Sequence, residues 1–138
     1  MTKPLSILWL YFATALFAGA ILLISISATM NWGLEYFARV RQIPGGDKLA
    51  HFLLMGGMSL LVNLSLRAKQ LRLPGGSILL GSLVLYLLVT IEEFTQMLLP
   101  SRSFDLTDLA ANYLGIYLFG LLAIRWNSRP GNAGNEPK

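Results

Sequence analysis

The sequence predicts an all-α, polytopic membrane protein: a bundle of four transmembrane helices with both termini on the cytoplasmic side. Three observations predict it. The 138 residues are 54% hydrophobic and 13% charged, about half the charge of an ordinary soluble domain. The charges gather at the ends of four apolar stretches, each near the roughly 20 residues that cross a bilayer. Most of the basic residues fall on one side of those stretches. An ordinary soluble enzyme is excluded, because so few polar side chains cannot cover a water-facing surface. There is no cysteine, so disulfides, thiolate nucleophiles and Cys-type metal sites are excluded as well.

The first helix is expected over about residues 5–28, inside a charge-free run from Leu5 to Leu34. Lys3 before it and Ser25, Ser27 and Ala28 within it are features of a secretory signal. The apolar run exceeds the roughly 7–15 residues of a signal core, so it reads as a retained span. The second, over 47–66, opens at Asp47 and has His51 as its only ionisable interior group. The third, over 75–98, is charge-free up to Ile91, carries Glu92 and Glu93 near its end, and is stopped by Pro100. The fourth, over 105–125, opens at Asp105 and is uncharged from Leu109 to Ile124. Together they make a single transmembrane domain over 1–126. Residues 127–138, rich in Pro, Gly and Asn, read as a disordered cytoplasmic tail. No segment shows the two-residue alternation of a membrane β-strand.

Orientation follows from the basic residues of the short connections. Lys3, Arg67, Lys69, Arg72, Arg125, Arg129 and Lys138 fall on one side, and Arg39, Arg41, Lys48 and Arg102 on the other. The richer side, with both termini, is assigned to the cytoplasm. Of the acidic residues only Glu136 is on that side; Glu35, Asp47, Glu92, Glu93, Asp105 and Asp108 are outside. The net charge of +4 is therefore a property of the cytoplasmic face, suited to anionic lipid rather than to nucleic acid.

An ionisable group below the membrane surface is costly and marks a candidate site. Counted along each helix, His51 lies about 6 Å, Glu93 about 8 Å and Asn112 about 10 Å from the outer end. Helical spacing groups Tyr86, Thr90, Glu93 and Gln96 on one face, Asp105, Asp108, Asn112 and Gly115 on another, and Lys48, His51 and Met55 on a third. Glu93 rather than Glu92 is the better interior candidate. Two of these helices begin on the outer side, so their amide-bearing ends point into the same region as Lys48 and Arg102.

These residues resemble the VanZ-like membrane proteins. The resemblance rests on Asp47-Lys48-Leu49-Ala50-His51-Phe52, on Glu92-Glu93-Phe94-Thr95-Gln96, and on Pro100-x-Arg102 followed by Asp108-x-x-x-Asn112-x-x-Gly115, between residues 46 and 122. It implies functional positions at Lys48, His51, Glu93, Gln96, Arg102, Asp108 and Asn112. It also implies a cell-envelope protein of the bacterial inner membrane, associated by name with glycopeptide resistance. Where similar sequences carry a small hydroxyl residue, this chain has Asp105.

Two functions of different class fit. In one, the outer site binds an anionic amphiphile, a membrane lipid or lipid-linked envelope precursor, with Lys48, Arg102 and the helix N-termini holding the anion and Glu93, Gln96 and Asn112 orienting it. In the other, it is a hydrolase or transferase with His51, Glu93 and Asp108 as catalytic candidates. An accessory subunit of a membrane complex needs no site, and a membrane-protein partner or homo-oligomer is compatible with either. No cofactor is expected: a divalent cation at Glu93 and Asp108 has carboxylate ligands but no repeated histidine spacing. Structural readings stand beside these. Asp47 and Asp105 are expected N-caps, Asn112 and Gln96 suit interhelical hydrogen bonds, and Gly19, Gly56, Gly57 and Gly115 suit close helix approach. Trp9, Trp32 and Trp126 suit interface anchors. Glu92 and Glu93 oppose their helix dipole, so Arg102, Lys48 or a cation is expected to compensate them.

Overall fold

The computed structural model describes residues 7–99 and 104–128. The chain is mostly helical: α1 (Ile7–Thr29), α2 (Leu34–Gln42), α3 (Gly46–Ser65), a hairpin of β1 (Gln70–Leu73) and β2 (Gly76–Leu79), then α4 (Leu80–Gln96) and α5 (Leu106–Asn127). Among the described residues three helices are long and apolar enough to cross a membrane: α1, α3 and α5, of 23, 20 and 22 residues. No residue of α1 is buried, and its exposed Leu8, Phe12, Leu16, Leu22 and Leu23 make a surface suited to hydrocarbon rather than water. Trp9, Trp32 and Trp126 are also exposed.

Two elements depart from the expected organisation. The connection after α1 contains a nine-residue helix, α2, that starts at Gly33 (φ +68°) and carries Glu35 in its first turn. It is far too short to span. The third expected helix begins later than residue 75, because 75–79 belong to the hairpin. Leu73 pairs with Gly76, leaving Pro74-Gly75 as a two-residue turn. Proline pre-sets φ at the first corner, and Gly75 takes φ +95° at the second, where a side chain would be strained. The hairpin joins the end of α3 to the start of α4 through Leu80 N–H and the Lys69 carbonyl (2.9 Å). With its start moved to Leu80, α4 has 17 residues, about 26 Å of helix.

α3 and α5 run parallel and α4 runs against both. Glycine sets the α3/α5 distance: a Cβ on Gly115 would strike the Phe52 carbonyl, and one on Gly56 would meet the Phe119 ring at 2.7 Å. Gly57 faces Phe17 of α1 at 3.1 Å, whereas Gly19 has nothing within 4 Å, so the close approach expected there is not found. The core between the helices is Leu85, Val89 and Ile116, with Met55, Met58, Tyr86 and Leu109 against it. Below it lies a polar layer. Ser59 Oγ donates to the Ile116 carbonyl (2.8 Å), and Asn63 Nδ2 donates to the Ser59 carbonyl (2.9 Å) and Ser82 Oγ (2.9 Å). That layer joins α3, α4 and α5 by hydrogen bonds, which hold helices together where the hydrophobic effect cannot.

Candidate functional site

The opposite end of the three helices, where α3 and α5 begin and α4 finishes, carries a charged cluster. Its position follows from local sequence. Gly45 (φ +72°) and Gly46 let the chain turn sharply into α3, with no side-chain cap. A Cβ on Gly46 would strike the Val40 carbonyl of α2. Asp47 is therefore not the N-cap it was expected to be: it sits in the first turn, where its charge suits the helix dipole. Asp105 does cap α5, its Oδ1 accepting from Thr107 N–H (2.8 Å) and from the Thr107 hydroxyl (2.6 Å).

Lys48 is the centre of the cluster. Its Nζ lies 2.6 Å from Asp108 Oδ1, 2.8 Å from Asp105 Oδ2 and 3.6 Å from Asp47 Oδ2. One turn further along α3, His51 has Nε2 3.5 Å from Asp108 Oδ2 and Nδ1 3.2 Å from Asn112 Oδ1. Both ring nitrogens thus face oxygen; a neutral ring can donate to one of them, a protonated ring to both. Asn112 is 1% exposed.

Glu93 enters from α4 and is also 1% exposed. Its Oε1 accepts from the backbone N–H of Asp105 (2.9 Å), so the compensation its helix position demands comes from the capping residue of α5. Its Oε2 is buried with no hydrogen-bond partner among the described residues. Glu92 is turned toward α1, accepting from Ser25 Oγ (3.3 Å) and Gln96 Nε2 (2.7 Å).

The structure therefore brings Lys48, His51, Asp108 and Asn112 into direct contact and joins Glu93 to them through Asp105. Gln96 is buried but directed at Glu92. Arg102 lies outside the described residues, as does the tail beyond Ser128. Sequence reasoning assigned no role to Ser25 or Thr107. The Asp-x-Thr spacing at 105–107 is an available signal for the second; nothing local marks the first.

Asp47, His51 and Asp108 each offer a metal-ligand atom, and these atoms lie within 4.8 Å of one another. The Lys48 ammonium already stands between two of them, supplying the positive charge that a cation would. Asp105 is outside the helical spans and its carboxyl is held well below the ordinary carboxylate range, first by Lys48 and then by the Thr107 hydroxyl and N–H. A group depressed in the folded state contributes stability that is present above its unfolded pKa of about 3.9 and is lost as pH falls toward the folded value. The thermal midpoint of the wild type should thus drop below about pH 4, and the gap between it and Asp105→Asn should close there. A gap independent of pH between 3 and 7 would show that the pair with Lys48 contributes no stability.

Apolar helices closed at one end by a cluster of lysine, histidine and carboxylates define a helical membrane protein with a polar cluster where α3 and α5 begin. The chain belongs to the VanZ/LLP1 family, whose model matches residues 5–127. No curated protein and no solved structure matches it.

Proposed function

We propose that the Lys48 cluster is a binding site for the headgroup of a membrane amphiphile with an anionic group, a lipid or lipid-linked envelope precursor. In this reading α4 is a fourth crossing, both termini are cytoplasmic, and the cluster faces the outer leaflet of a bacterial inner membrane. The observation that carries it is the state of Lys48. The side chain is 39% exposed, Asp47 42% and Asp105 38%, on a protein whose surface is otherwise dominated by apolar side chains. A phosphate arriving from the membrane interface can take the ammonium, and the α3 N-terminus, with no side-chain cap, offers amide donors and the positive end of a dipole beside it.

The test uses full-length protein in nanodiscs of phosphatidylcholine containing phosphatidylglycerol, with the retained lipid counted by native mass spectrometry. Wild type should enrich the anionic lipid, and Lys48→Met should lower that enrichment about tenfold, the factor that about 1.4 kcal/mol of contact supplies. Equal enrichment by both proteins would refute the assignment. The contacts of His51 with Asp108 and Asn112 favour a second reading, a hydrolase or transferase in which Asp108 orients His51 as the base, with Glu93 buried nearby. Conversion of a lipid ester or phosphodiester that is abolished in His51→Asn would select it.

A further inference from the structure

Resting on that headgroup reading, we infer that the ligand carries a primary ammonium group beside its phosphate: the site is built for a zwitterion rather than for a simple anion. Lys48 is the partner of Asp105 and Asp108 at 2.8 and 2.6 Å. An anion that draws this ammonium toward itself weakens its hold on both carboxylates, and Asp108, with its side chain only 13% exposed, has little water to turn to. Removing one partner from a poorly solvated pair is far more costly than the pair is stabilising. A phosphate alone therefore binds less well than one that brings a cation with it.

Glu93 is an independent sign of the same surplus. It is 1% exposed, it reaches the cluster at Asp105 N–H, and its Oε2 has no donor among the described residues. A ligand ammonium placed among Asp47, Asp105 and Asp108, which all lie around the Lys48 Nζ, replaces what the phosphate removes. It also brings positive charge to the side of the cluster where Glu93 adds to the negative charge. The group has to be a primary ammonium, because the carboxylates accept hydrogen bonds and a quaternary ammonium has no N–H to give. A phosphate and a primary ammonium close together on one small group are the chemistry of an ethanolamine-type headgroup, on a bilayer lipid or free in solution.

The experiment uses full-length protein in nanodiscs of equimolar phosphatidylethanolamine, phosphatidylglycerol and phosphatidylcholine with identical acyl chains, and native mass spectrometry of the retained lipid. The ethanolamine lipid should be enriched roughly tenfold over phosphatidylglycerol, the factor expected for one added charge-assisted contact, and phosphatidylglycerol should in turn be enriched over phosphatidylcholine. Asp47→Asn should remove most of that preference, and Asp47→Glu should keep it. The melting curve of Asp47→Asn reports whether the protein is folded. Enrichment of phosphatidylglycerol over the ethanolamine lipid, or equal retention of ethanolamine and choline lipids, would overturn the inference while leaving the headgroup reading intact. Retention of all three at their bulk ratio would overturn the headgroup reading itself. Soluble phosphoethanolamine separates the sources: displacement of the bound lipid supports recognition of the free headgroup, and a bound lipid that resists it supports a membrane-anchored ligand.

Discussion

Gly115→Leu should leave no folded protein, and Gly115→Ala should lower stability by about 1–3 kcal/mol, the usual range for overpacking. The reason is what an added side chain meets. A Cβ at Gly115 runs into the Phe52 carbonyl, and Gly56 N is 3.0 Å away; both are backbone atoms of α3. No rotamer change can clear them, so the helices themselves must separate. That separation would lengthen the contacts of Lys48 and His51 with α5, one or two turns away. Gly56 is the control. Its added Cβ meets the Phe119 ring at 2.7 Å, and a ring can swing, so Gly56→Ala should cost less than Gly115→Ala. Thermal melts in one detergent for the three variants decide this, and equal losses at the two glycines would show that the helices are not in backbone contact at Gly115.

Lys48→Met should destabilise the protein by about 1–3 kcal/mol, between the small value of an exposed ion pair and the larger loss when a buried charge is left alone. Most of that loss is the isolation of Asp108, because its side chain is 13% exposed against 39% for Lys48. It follows that Lys48→Met with Asp108→Asn should be more stable than Lys48→Met alone. The coupling should lie in the range of roughly 0.5–3 kcal/mol found for residues in contact. Strictly additive losses would mean that the 2.6 Å contact contributes nothing. Together with the lipid measurements, this cycle separates the structural part of Lys48 from its part in binding.

Much of the site is legible in the sequence because charge is scarce. With only 13% of residues charged, the three- and four-residue spacing of Lys48 and His51, and of Asp108 and Asn112, could reflect little but shared helix faces, and the structure puts those faces together. Glu93 was separable from Glu92 by the 100° between neighbours on a helix, and the two are indeed turned to different partners. What was not legible has a common cause: apolar residues lie on both sides of it. Pro74-Gly75 is an ordinary turn signal, but Leu71, Leu73, Ile78, Leu79 and Leu80 surround it, and strands of four residues are too short to show alternation. Ser59, Asn63 and Ser82 look incidental in their apolar runs until the fold joins them. At Pro44-Gly45-Gly46-Asp47 the first side chain able to cap was taken for the cap, whereas Gly45 turns the chain two residues earlier.

The parallel pairing of α3 and α5 has a consequence for the order in which the protein is made. Lys48 is synthesised 57 residues before Asp105, and His51 61 residues before Asn112. During synthesis the first half of the cluster is therefore made before its partners exist. The hairpin shortens that interval by returning the chain at once into α4, which delivers Glu93 with α3 as one helical pair. Only the arrival of α5 supplies Lys48 and His51 with Asp105, Asp108 and Asn112, so the last helix synthesised is the one that completes the cluster.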